Sequence, residues 1–296
     1  MAPPKPSRNA GWIGWLPLVV LPLAALALYN LLQPWAFMWI LAVSIYCGLK
    51  WLTWSKARGH VPHAAWRSIA YLVAWPGMDA DSFLDARKVA PPPRFSDWTR
   101  AVLETSLGAT LLWVVARSVP QAPALLRGWI GMLGLILLLH FGGFQILALF
   151  WQGLAVMATP IMSAPLRSES LSEFWGKRWN LGFRQLSYDL IFAPLHRRLG
   201  AGLTTLLVFV VSGLIHDLVI SVPARGDYGF PTAYFIVQGL GVAIERSPAG
   251  NRLGLDSGVR GWLFMAVVTA GPVFWLFHPP FVMHVIIPFM KAIHAV

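Results

Sequence analysis

The chain has 296 residues, of which 57% are hydrophobic and 12% charged, with a formal net charge of +11 and a mean hydropathy of +0.61. Asp, Glu, Lys and Arg are missing altogether from residues 9–49, 128–166, 199–216, 228–244 and 261–290. About 20 apolar residues cross a bilayer core, so several crossings are expected, and a soluble enzyme, a nucleic-acid-binding module and a disordered tail are excluded.

In chain order, the first uncharged run holds two crossings, about 11–29 and 35–54, turning at Asn30 and Gln33-Pro34. Lys5 and Arg8 precede an apolar stretch with Ala25 and Ala27 near its end, a pattern that mimics a signal peptide. A second apolar stretch follows at once, which favours an uncleaved first span. Cys47 is the single cysteine, so there is no intrachain disulfide and no cysteine-based metal site; its apolar setting predicts a small core residue. The charged stretch 55–100 includes Ala64 to Trp75, too short to span and suited to an interfacial helix. Pro91-Pro92-Pro93 stops any helix beyond it. A third crossing covers about 101–119. The run 128–166 reads either as one long tilted helix or as two short ones around His140-Phe141-Gly142-Gly143. Charged, aromatic residues 160–200 follow, then crossings at about 201–222, 228–245 and 260–278, and a short one after Pro279-Pro280.

Charge distinguishes the two readings of 128–166. With the N-terminus cytoplasmic and that run counted once, 20 of the 23 Lys and Arg fall on one side, leaving Arg117, Arg127 and Arg225 outside. Basic residues prefer the cytoplasmic loops. Splitting the run would send the six basic residues of 167–198 outside. The expectation is an all-α integral membrane protein of about eight crossings. It forms a single polytopic domain over 1–296, with both termini and segments 55–100 and 160–200 cytoplasmic. Its excess positive charge faces membrane lipids and needs no nucleic acid.

Common soluble signatures are absent: no Gly-x-Ser-x-Gly elbow, phosphate-binding Walker loop or His-Glu-x-x-His helix. The glycines around Gly131 and Gly134 read as helix-packing residues. Two segments stand out. Ser170-x-x-Glu173 is a capping box, opening a helix through Phe174-Trp175-Gly176-Lys177-Arg178-Trp179-Asn180. Gly176 and Asn180, four apart, would share a face of it, with room for a ligand beside the amide. The plainer alternative is an amphipathic helix anchored by Trp175 and Trp179, with Lys177 and Arg178 at the headgroups. The second segment is Val211-Ser212-Gly213-Leu214-Ile215-His216-Asp217. His216 falls about 15 residues into a crossing, deep in the hydrocarbon at 1.5 Å per residue. An ionisable residue there is a functional candidate, and burial favours the neutral imidazole that acts as a base. Ser212 and Gly213 keep its face small. Asp217 faces away by about 100°, so no His–Asp dyad is expected. A neutral His hydrogen-bonded between helices is the alternative. His140 lies in mid-run without a second chemical group near it in sequence and suits a pocket-lining role. No histidine spacing suggests a metal site.

Together, Phe174-Trp175-Gly176-Lys177-Arg178-Trp179-Asn180 and the Ser212-Gly213-Leu214-Ile215-His216-Asp217 span resemble the membrane-bound O-acyltransferase family, most of all its wax-synthase-like branch. Phe230 to Glu245 and Tyr71 to Asp79 are similar to further family segments, the latter to bacterial members. Asp217 departs from the glutamate common in wax synthases. The resemblance implies a bacterial inner-membrane enzyme that passes an acyl group from acyl-CoA, its co-substrate, to a hydrophobic alcohol, with no separate cofactor or metal. It implies His216 as the base and Asn180 as its catalytic partner. Trp175, Gly176, Lys177, Arg178, Trp179, Arg184, Ser212, Gly213 and His140 would line the substrates, with Lys177, Arg178 and Arg184 nearest the CoA phosphates. Two other readings stay open: an acetyltransferase for a smaller or extracytoplasmic hydroxyl, and a transporter using His140 and His216.

Overall fold

A computed structural model describes residues 8–296, with side chains from residue 11 onward; Lys5 and the Arg8 side chain lie outside the described part. The helices are, in order, α1 (Gly11–Leu26) and α2 (Pro34–Ala57), α3 (Ala65–Ala74) and α4 (Ala80–Leu84), and α5 (95–118). They continue with α6 (Ala124–Gly153), α7 (171–178), α8 (181–199) and α9 (201–224). The last are α10 (Phe230–Glu245) and α11 (Pro248–Leu253), α12 (Gly258–Leu276) and α13 (279–292). Among the described residues an isolated bridge, Val89 with Val156, is the only extended pairing.

Four helical stretches are long and apolar enough to cross a membrane: α2, α6, the stretch Leu181–Ala224 and α12. The run 128–166, which sequence leaves as one helix or two, carries the single continuous helix α6. A widened π-turn at Leu137–Gly143 absorbs His140 and the glycine pair without breaking it. The stretch Leu181–Ala224 is interrupted at Gly200, whose φ of 76° and ψ of 160° leave the helical region. Glycine adopts this conformation without a Cβ clash, and so α9 begins where the sequence places a crossing.

The chain divides into two compact units. The first comprises residues 1–93 and 147–159. Pro34 opens α2 at its first turn, where its missing N–H costs nothing. α1 lies close on α2 because Gly48 has no side chain; a Cβ there would fall 2.5 Å from the Leu18 Cα. Tyr71, Trp75, Phe83 and Trp151 form an aromatic core, with Trp75 stacked on Phe83 at 6.0 Å. α3 turns Arg67 inward onto the Phe83 and Asp85 carbonyls. Trp66, Ile69 and Val73 stay exposed on its other side, the face an interfacial helix offers to lipid. Cys47 is exposed on α2 rather than in the core as its apolar neighbours suggest: in a helix meant for lipid, apolar residues point outward as well as inward.

The second unit comprises residues 94–146 and 160–296. α5 and α6 approach backbone to backbone, and a Cβ at Gly108 would fall 2.5 Å from the Leu138 nitrogen. Gly131 accommodates Met290, and Gly134 faces Gly108, as small residues between membrane helices do. α9 and α10 pair in the same manner, Gly213 against Thr232 and Gly239 against Leu206 and Phe209.

Candidate active site

The start of α7 is held from two directions. The Ser170 hydroxyl accepts from the Glu173 N–H at 3.0 Å, the first half of the expected box. The Glu173 carboxylate reaches one residue further back than expected, accepting from the Glu169 N–H at 2.7 Å. That bond, then the Arg178 side chain, lowers its carboxyl below the usual glutamate range. Buried Glu245, arriving from the end of α10, accepts from the Leu171 N–H at 2.6 Å and from the Ser172 N–H. Anionic groups belong at helix N-termini, where N–H donors lack partners.

α7 then widens into a π-turn over Phe174–Arg178 and stops. Gly176 and Asn180 therefore do not share a helix face. Trp179 is extended and Asn180 left-handed, with φ 43° and ψ 61°. The cause is the neighbouring strand-like segment: the Ser163 N–H donates to the Arg178 carbonyl at 2.8 Å and the Leu181 N–H to the Ile161 carbonyl at 2.9 Å. These bonds draw the chain out of the helix. Asn180 becomes the N-cap of α8, its Oδ1 accepting from the Phe183 N–H at 3.2 Å. Only the amide oxygen can accept from an N–H, so the cap fixes the orientation and leaves the Nδ2 donors for other use.

His216 is fixed by equally local chemistry. Its Nδ1 lies 2.7 Å from the Ser212 carbonyl, which can only accept, so the proton resides on Nδ1 and Nε2 keeps a lone pair. Its ring packs on Phe235 with centroids 4.4 Å apart. Asp217 points elsewhere, as expected. Its carboxylate accepts from the Gly229 N–H at 2.8 Å, the Thr232 N–H at 3.0 Å and the Thr232 hydroxyl, capping α10. The Ser221 hydroxyl donates to the same carboxylate and pairs with buried His278 Nε2 at 3.1 Å.

His216 and Asn180 line one cavity of about 220 Å³. α7 and its linker supply Ser172, Trp175, Gly176 and Trp179; α8 supplies Phe183, Arg184, Ser187, Tyr188 and Phe192. α9 adds Thr205, Val208, Phe209 and Ser212, and α10 adds Phe235, Val242 and, just past its end, Arg246. Trp175 is braced by Phe209 and Phe235, both at 5.7 Å, and by Gln238, whose Oε1 accepts from its indole N–H at 3.3 Å.

Of the expected lining residues, four lie outside this wall. Gly213 is occupied with closing α9 on Thr232. Arg178 pairs with Glu173 at 2.7 Å, Lys177 is exposed, and His140 packs on Phe144; it is the next residue, Phe141, that touches Trp179. Arg184 and Arg246 are the two cationic lining groups, and among the described residues neither has a carboxylate within ion-pair distance. Arg246, Gln238 and Tyr188 escape a sequence reading. Gln238 had a signal, an amide in the middle of an uncharged run, whereas Arg246 looks like any headgroup anchor at a helix end.

Residues 158–237 match the Membrane bound O-acyl transferase family, a stretch that holds the α7 motif, Asn180 and His216. The chain belongs to this family. Over 138 residues it is 33% identical to the probable long-chain-alcohol O-fatty-acyltransferase 2 of Arabidopsis thaliana, covering 40% of this chain and 38% of that one. The long-chain-alcohol O-fatty-acyltransferase of Simmondsia chinensis is 30% identical over 140 residues, covering 42% and 39%. The acyl-CoA–sterol O-acyltransferase 1 of Arabidopsis thaliana is 26% identical over 133 residues, covering 41% and 38%. The aligned part of this membrane-bound O-acyltransferase family member thus spans about two-fifths of the curated relatives.

Proposed function

We propose that the protein is a membrane O-acyltransferase that moves an acyl group from acyl-CoA to a lipid alcohol, giving a wax-ester- or sterol-ester-type product. The observation that carries this reading is the shared cavity, where a histidine with a free Nε2 lone pair and an asparagine with free Nδ2 donors meet an aromatic lining. The acceptor hydroxyl oxygen attacks the thioester carbonyl as His216 Nε2 takes its proton. Asn180 Nδ2 donates to the oxyanion as it forms. The C–S bond then breaks, the imidazolium returns the proton to the departing thiolate, and ester and free CoA leave. The names of the relatives support both substrates. We further read the chain as crossing the membrane about eight times, with both termini and residues 55–100 and 160–200 cytoplasmic, so that the donor arrives from the cytoplasm. Lipid analysis of a host expressing the wild type, beside His216→Ala, tests the activity. New neutral esters made by the wild type alone bear it out; acetylated glycans would replace the acceptor, and no new product of either kind would defeat it.

A further inference from the structure

The long axis of the cavity can be measured on α10. The contact of His216 with Phe235 sets the level of the base. Arg246 lines the same cavity eleven residues beyond Phe235, about 16 Å away at the helical rise of 1.5 Å per residue. On the facing wall, Ser172 accepts from Arg246 Nε at 3.0 Å, and Asn180 stands at the other end of that wall. Gly176 lies between them. A Cβ on Gly176 would meet no atom within 4 Å, and its φ is not in the region that favours glycine. Neither packing nor backbone therefore requires glycine here, and what its absent side chain leaves is open cavity. Arg184 cannot mark the far end, because it sits one helical turn from Asn180.

We infer that this wall is a track for the donor's narrow arm: Arg246 holds its phosphate, Gly176 leaves the gap the arm crosses, and the thioester lies at His216. The inference rests on acyl-CoA being the donor. The arm between a CoA thioester sulfur and the first phosphorus has roughly thirteen bonds, and at the extended reach of a peptide-like chain this is about 15 Å. A molecule anchored by phosphate at Arg246 thus presents its thioester at the level of the base and no further.

The test compares long-chain acyl-CoA with the matching S-acyl-pantetheine, which has the arm without phosphate, using purified full-length protein of unchanged melting temperature. Arg246→Gln should raise KM for acyl-CoA roughly ten- to a hundredfold, the usual scale for a charge-assisted hydrogen bond. It should leave kcat and the KM for acyl-pantetheine unchanged, and Arg246→Lys should recover much of the loss. Gly176→Val should raise KM for both donors. An unchanged acyl-CoA KM in Arg246→Gln, or an equal rise for both donors, overturns the anchor; unchanged KM values in Gly176→Val overturn the passage. Direct binding of free CoA separates this from the activity itself. Binding that persists in His216→Ala and falls in Arg246→Gln upholds the track even in a protein that makes no ester, and a wild type that does not bind CoA overturns it.

Discussion

At the residue scale, the two polar groups of the cavity are each half-used by the fold, and what the fold leaves over is what chemistry needs. Ser212 takes the Nδ1 proton of His216, and the α8 cap takes Oδ1 of Asn180. His216→Ala should lower acyl transfer by about 10²–10⁴-fold, the typical contribution of a general base. Asn180→Asp is the sharper variant. Aspartate caps helices as well as asparagine and tolerates a left-handed backbone, but it has no amide donor. Thermal melting in detergent should therefore be unchanged, while transfer falls by about 10²–10³-fold; a fully active Asn180→Asp protein would leave the residue a cap and nothing more. The residues of this site were legible because a histidine deep in an uncharged run has few bland explanations. Their geometry was not: helical spacing put Asn180 on the face of Gly176, and the bonds from Ile161 and Ser163 that end α7 come from residues with no motif of their own. Lys177 and Arg178 drew attention as charges beside the motif, yet a pairing with Glu173 commits one of them to the fold.

At the scale of elements, side chains from one helix repeatedly cap another. Asp217 of α9 caps α10, and Glu245 at the end of α10 caps α7, so the three walls of the cavity are tied by carboxylates at helix N-termini. Asp217→Ala leaves the Gly229 and Thr232 N–H groups without their acceptor, which costs about 1–3 kcal/mol. A lower detergent-melting temperature is expected, with activity falling in step; an unaltered melting curve would mean that these donors find another acceptor. Glu173 gives a pH signature. Its folded carboxyl lies below the unfolded value of about 4.3, so its stabilisation is complete above that pH and is lost as pH falls through the folded value. The stability gap between wild type and Glu173→Gln should therefore be constant at neutral pH and close under acid conditions; a gap that persists in acid would assign the effect to packing. The helices themselves were easy to read: six of the seven proposed crossings outside 128–166 coincide with a helix or a pair of turns in the structure, because uncharged runs and helix-breaking Pro and Gly are explicit in the sequence. The π-turns were not, since nothing in Phe174–Arg178 or Asp217–Ser221 distinguishes a widened turn from an ordinary one.

At the scale of the whole molecule, the proposed orientation follows from 20 of 23 basic residues lying on one side. Cys47 is exposed, so labelling begins from a Cys47→Ser background with single cysteines introduced at positions 95 and 168. An impermeant thiol reagent should modify both only after the cytoplasmic face is opened; labelling of either from outside would reverse the topology. Six π-turns punctuate the described helices, at 111–115, 137–143, 174–178, 188–192, 217–221 and 282–286. Each holds more residues than the α-helical turn it replaces, which gives the chain an unusual pattern of tolerance to changes in length. Removing one residue from 217–221 would let the helix close up as an ordinary one, with every backbone bond restored. Everything beyond it would then arrive rotated by about 100°, carrying Gly229 and Thr232 away from Asp217 and Phe235 away from His216. Relatives aligned across this segment should accordingly keep its spacing to the residue, and place their insertions and deletions in the turns between helices.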